Sequence, residues 1–111
     1  MKKNLLFICS GNVARSPTAV DLFRYSKKYS VSSAGTNKDA PRKITQKLLN
    51  WADIIFVMSE GTNKHLTFLK NSFDIAGKTI YDLHVKNMYQ RNDPRLVILL
   101  RKRLRRILKV F

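Results

Sequence analysis

The sequence predicts a three-layer α/β/α fold built on a four-stranded parallel sheet, and three observations predict it. The runs Leu5-Leu6-Phe7-Ile8-Cys9 and Ile54-Ile55-Phe56-Val57-Met58 are continuously apolar, which is the pattern of strands covered on both faces. Segments of helical spacing alternate with the strand-like runs, an order that implies right-handed crossovers between parallel strands. The segment richest in chemistry follows the first run directly, at the carboxyl end of a strand, where sheets of this kind place their ligands.

Each element has its own justification. Leu5 to Cys9 reads as the first strand, and Ser16 and Pro17 signal the first turn of a helix running to about Lys28, with Ala19, Val20, Phe23 and Tyr25 inward. Tyr29 to Ala34 alternates weakly and ends at Gly35, giving a second, short strand. Thr45 can cap a helix carrying Leu48, Leu49 and Trp51. Ile54 to Met58 is the strongest strand in the sequence and is expected to be central. Gly61 to Lys70 supports one helix through Leu66, Phe68 and Leu69, Thr79 to Leu83 a fourth strand, and Lys86 to Asp93 a loop. After Pro94, Leu96, Leu100, Leu104, Ile107 and Phe111 recur at three- and four-residue spacing, with Val97 and Leu108 alongside, as the buried stripe of a final helix.

A chain of 111 residues is expected to form a single domain, residues 1–111, with a core that needs no staples. Its one cysteine excludes an internal disulfide, and the apolar run after Met1-Lys2-Lys3 is too short for a signal peptide or membrane span, so the cytoplasm is the expected compartment. The formal net charge is +15, from 22 Lys and Arg against 7 Asp and Glu. From Arg95 to Phe111 there are seven basic residues, Arg95, Arg101, Lys102, Arg103, Arg105, Arg106 and Lys109, and no acidic one. A cationic helix face of this kind is either simply solvated or draws an acidic partner or nucleic acid, with binding that weakens in salt.

The chemistry concentrates in Cys9-Ser10-Gly11-Asn12-Val13-Ala14-Arg15-Ser16-Pro17. A strand that turns through such a loop into a helix presents successive N–H groups to a phosphate-sized anion. The helix N-terminus adds positive potential there, and Arg15 a bidentate fork. The same field favours a thiolate, which makes Cys9 a candidate nucleophile.

These residues resemble the low-molecular-weight protein tyrosine phosphatases, in particular a short single-domain branch of about this length. The loop from Cys9 to Pro17 matches the family's phosphate loop, Ser33-Ala34-Gly35-Thr36 resembles its second-strand motif, and Asp93-Pro94 its general-acid loop, in the family's order. The resemblance implies a flavodoxin-like, phosphotyrosine phosphatase I-like fold and a cysteine-dependent phosphatase. Cys9 would take the phosphoryl group as a thiophosphate. Arg15 would clamp its oxygens, with Ser10, Gly11, Asn12, Val13, Ala14 and Ser16 completing the phosphate-binding loop. Asn12 would hold an unusual backbone conformation, Ser16 would hydrogen-bond the sulfur, and Asp93 would serve as general acid and then base. No cofactor enters this scheme, and the sequence carries no cluster of ligands at metal spacing.

Departures from the family narrow what is implied. Ala14 stands where longer members carry a second cysteine, and Arg95 and Leu96 follow Pro94 where those members have aromatic walls for a phenyl ring. Tyr89 is available as a substitute wall. The expected substrate is a phosphorylated protein or a small aryl phosphate. Two other functions fit the same loop. One is arsenate reduction, which with a single cysteine would need an external thiol; the other is a basic binding module whose loop merely holds an anion. Trp51 is expected in the core, Tyr81 and Asp82 in structural roles, Asp53 at a strand start, and His65 and His84 on the surface or in loops, without a role.

Overall fold

A computed structural model describes residues 2–110. Strand β1 (Lys3–Cys9) leads through α1 (Arg15–Leu22) to β2 (Tyr29–Gly35). Then follow α2 (Gln46–Trp51), β3 (Ile54–Val57), α3 (Glu60–Asn63), α4 (His65–Ser72), β4 (Thr79–Asp82) and α5 (Pro94–Leu108). All strand pairs are parallel, in the order β2-β1-β3-β4. The expected three-layer α/β fold with a four-stranded parallel sheet is present.

The apolar runs divide by strand alternation into two cores. Leu5, Phe7 and Cys9 of β1 face α1 and α5, with Phe56 from β3 and Leu96, Leu100 and Leu104 from α5. Leu6 and Ile8 point the other way and meet Ile55, Val57, Leu49 of α2 and Leu69 of α4. Continuous apolarity therefore reports two buried faces, not one. Across the first face runs a row of rings, Phe23, Phe7, Phe56 and Tyr81, with successive centroids 5.9, 5.0 and 5.8 Å apart. Such contacts add specific geometry to plain area burial. Both β1 and β3 are interior strands, so the expectation for Ile54 to Met58 holds. Asp53 ties their starting ends together by accepting the Asn4 N–H at 2.7 Å, while its own N–H donates to the Asn4 carbonyl at 2.8 Å.

Several boundaries differ from the sequence reading. Helix α1 stops at Leu22 because its last bonds tighten to the preceding third residue, Phe23 N–H to Val20 O and Arg24 N–H to Asp21 O. Ser26 Oγ then accepts the Lys28 and Tyr29 N–H groups and turns the chain into β2. Tyr25 lies in that turn and is 87 % exposed, contrary to its expected inward position. The helix expected over Gly61 to Lys70 is two, α3 and α4, broken at Lys64, whose φ of 55° is left-handed. Trp51 is 36 % exposed, not core. It lies two residues beyond the buried Leu49, about 200° round the helix. Tyr81 and Asp82 are structural as expected, Asp82 accepting the Glu60 and His84 N–H groups. The segment from Lys86 to Asp93 is loop. Phe111, expected on the apolar stripe of the last helix, lies outside the described residues. Among the described residues no helix is long and apolar enough to cross a membrane.

Candidate active site

Cys9 ends β1 and is buried, with Ser10 to Ala14 forming a loop before α1 begins at Arg15. The helix start is earlier than Ser16 suggested, and its N-cap, Ala14, makes no side-chain cap bond. Ser16 instead turns its hydroxyl toward the sulfur, with Oγ 3.0 Å from Cys9 Sγ and donating to Asn12 Oδ1 at 2.9 Å. Asn12 has φ 55°, a left-handed conformation that asparagine tolerates, and its N–H donates to Cys9 Sγ at 3.2 Å. The sulfur is therefore held by one backbone amide and one hydroxyl. Since the single Ser16 proton goes to Asn12 Oδ1, the thiol S–H donates to Ser16 Oγ, and loss of the thiol proton would have to redirect that hydroxyl to the sulfur.

Arg15 is 1 % exposed, an unusual burial for a guanidinium, and the surrounding bonds explain how it is tolerated. NH1 donates to Val85 O at 2.8 Å and to Asn63 Oδ1 at 2.9 Å, and NH2 reaches Ser10 Oγ at 3.4 Å. Burial lowers its pKa from the ordinary value, and the neighbouring Cys9 opposes that shift. Of the five N–H donors of a guanidinium, these contacts use three. Two donors, the Nε–H and one NH2 proton, are left over, the number that a two-point grip on an oxyanion needs.

Sequence reasoning missed His65. It is fully buried, contrary to its expected surface position, and uses both ring nitrogens. Nδ1 accepts the Ser59 N–H at 3.0 Å, so Nε2 carries the proton and donates to Ser10 Oγ at 2.9 Å. Burial first, then repulsion from Arg15, lowers its pKa to about 4, with Asp82 and Glu60 pulling the other way. The imidazole is thus a neutral prop behind the loop. Its one sequence signal is its spacing of four from the buried Leu69. Asn63, which holds Arg15, was missed as well, because the two residues lie far apart in the chain.

Gly35 explains the second-strand motif. A Cβ there would lie 2.7 Å from the Ser10 carbonyl oxygen and 2.6 Å from Ala40 Cβ. Only glycine lets the following segment pass so close to the loop, where Thr36 and Asn37 donate to the carbonyls of Cys9 and Ser10, both at 2.9 Å.

An open cleft of about 410 Å³ lies over the sulfur, lined by Cys9, Ser10, Gly11, Val13, Ala14 and Arg15 below and by Asn37, Asn87, Tyr89, Gln90 and Arg91 at the sides. Tyr89 is thus at the cleft as an aromatic wall. Asn12 and Ser16 stand behind the sulfur. Asp93 is not a lining residue: it caps α5, accepting the Arg95 N–H at 2.9 Å, and both its oxygens are taken by the Arg95 guanidinium. Those bonds to Arg95 lower its pKa below the usual carboxylate value. Among the described residues there is no group of three or more His, Cys, Asp or Glu able to hold a metal ion.

No protein-family model and no curated protein matches the sequence. Solved structures do match over nearly its whole length. The tyrosine phosphatase Wzb from Escherichia coli K30 aligns with a TM-score of 0.74 at 24 % identity, over 98 % of both chains. The YwlE arginine phosphatase from Geobacillus stearothermophilus aligns at 0.67 and 21 % identity, over 96 % of this chain and 93 % of that one. A thioredoxin-dependent arsenate reductase from Corynebacterium glutamicum aligns at 0.66 and 20 % identity, over 97 % of this chain and 61 % of that one. The fold is the one that the tyrosine phosphatase Wzb has.

Proposed function

We propose that this chain is a cysteine-dependent phosphatase that hydrolyses phosphotyrosine or related aryl phosphate monoesters within a single domain spanning residues 1–111. The observation that carries the reading is the placement of Cys9 Sγ at the floor of the cleft, held by the Asn12 amide and Ser16 hydroxyl beside the Arg15 guanidinium. The sulfur attacks phosphorus, the aryl oxygen leaves with a proton from Asp93, and Arg15 and the loop amides of Ser10 to Ser16 hold the equatorial oxygens. Water, deprotonated by the Asp93 carboxylate, then attacks the thiophosphate and restores the sulfur. Fixed donors matter most, because the transition state spreads its charge over those oxygens.

Tyr89, at the side of the cleft, supplies the face on which a substrate ring would rest. A thiol nucleophile suits a reducing compartment, so we place the protein in the cytoplasm. The cationic face of α5 is a second element of the proposal, a surface for an acidic partner or nucleic acid.

The test is a panel of phosphotyrosine, phosphoserine, phosphoarginine, nucleotide and aryl phosphates, assayed with chelator present. Phosphoarginine belongs there because one neighbour is an arginine phosphatase. Aryl esters should turn over, Cys9→Ser should bring the rate to background, and Arg15→Ala should cost about 10³-fold or more, the scale of an arginine contact to a transferring phosphoryl group. Asp93→Asn should slow poor leaving groups more than activated ones. Turnover that survives both Cys9→Ser and Arg15→Ala refutes the proposal, as does arsenite production with an external thiol and no ester hydrolysis.

A further inference from the structure

We infer that Arg95 is a latch on Asp93, and that the preferred substrates are aryl phosphates flanked by acidic peptide side chains, whose carboxylates draw the latch away. This rests on the phosphatase reading and on Asp93 as its acid. In the resting protein Arg95 Nε donates to Asp93 Oδ1 at 3.2 Å and NH2 to Oδ2 at 2.8 Å, while the Arg95 backbone N–H takes Oδ1 at 2.9 Å. Both carboxylate oxygens are occupied, and a carboxylate so held has no proton to give. An acid that must protonate a leaving phenolate is therefore stored in its inactive form.

The latch is built to open. The Arg95 side chain is 71 % exposed, and exposed ion pairs exchange partners readily. Its guanidinium carbon lies 5.5 Å from the centroid of the Tyr89 ring, and Tyr89 lines the cleft. Arg95 thus joins the wall on which a substrate ring would rest to the group that would protonate it. A planar, two-oxygen anion arriving beside the ring matches the fork that now holds Asp93. Arg91, half exposed and paired with Asp21 at 3.1 Å, also lines the cleft, so an acidic segment arriving beside Tyr89 meets a second guanidinium group. The net charge of +15 attracts such a segment. Attraction alone would change KM; a latch also changes kcat, since freeing Asp93 acts on the chemical step.

The experiment compares matched phosphotyrosyl peptides with acidic or amide flanks, and phenyl phosphate, on wild type, Arg95→Gln, Arg95→Lys, Asp93→Asn and the double variant Arg95→Gln/Asp93→Asn. Wild type should show a kcat about tenfold higher on acidic than on amide peptides, a part of the ~10²–10⁴-fold that a positioned acid supplies. Arg95→Gln should raise kcat on phenyl phosphate and remove the kcat preference, Arg95→Lys should fall between, and in the Asp93→Asn background the Arg95 change should do nothing to kcat. An Arg95→Gln variant with unchanged or lower kcat on phenyl phosphate overturns the latch while leaving the phosphatase reading intact. A preference confined to KM does the same. Absence of turnover by wild type on every substrate overturns both.

Discussion

The buried, neutral His65 makes the stability of this protein depend on pH in a way that one substitution should remove. Its pKa falls from 6.5 to about 4 on folding, so the unfolded chain binds a proton that the folded chain refuses. Stability from this group is fully present above the unfolded value and is lost as pH falls from about 6.5 through about 4. The complete shift corresponds to about 3 kcal/mol, and about 2 kcal/mol of it should be gone by pH 5. Glu60 and Asp93, held below the usual carboxylate range by their bonds to Thr67 and Arg95, lose their contributions mainly below about pH 5 and so add little to a comparison between about pH 7.5 and about pH 5. In His65→Gln the side-chain amide can still accept from Ser59 and donate to Ser10, but it does not titrate. Denaturant unfolding at about pH 7.5 and about pH 5 should therefore show a loss in wild type larger by about 2 kcal/mol than in His65→Gln, or about 10 °C in melting temperature for a chain of this size. Equal losses in the two proteins would refute the buried-prop reading.

Two further predictions test the frame around the site. Gly35→Ala forces a methyl group against the Ser10 carbonyl, so it should destabilise by about 1–3 kcal/mol and weaken binding of inorganic phosphate in a titration, because the loop itself must shift. Leu100→Ala, at a fully buried position on α5, should cost about 2–5 kcal/mol in denaturant unfolding while leaving the affinity for phosphate nearly unchanged.

The fold was legible because the continuous apolar runs and the alternating helical segments each allow one arrangement, strands buried on two faces between helix layers. Helix ends were less so. The stop of α1 depends on Ser26 closing a turn, and the break between α3 and α4 on the left-handed backbone of Lys64, which ends one helix and starts the next, choices that many polar residues could make equally well. At the site, the loop from Cys9 to Ser16 could be read because its residues are contiguous and each type has one physical use there. The unusual backbone of Asn12 was implied by the family resemblance, and the residue is left-handed.

What the amino-acid order determined alone is what local contact and periodicity can encode: the sheet, the loop that joins β1 to α1, and the amphipathic face of α5 with its charge. What only the tertiary structure decided is the set of groups joined across long loops. His65 beneath Ser10, Asn63 and the Val85 carbonyl on Arg15, and the bare passage over Gly35 all depend on which segments fold onto the carboxyl ends of the strands. A buried polar group needs a partner wherever the chain can supply one, and that choice is made by packing in three dimensions, with no periodic trace in the sequence. The engagement of Asp93 by Arg95 is the intermediate case. The residues are near neighbours, but a cap, a salt bridge and a free acid all share the same sequence, and only the folded geometry selects among them.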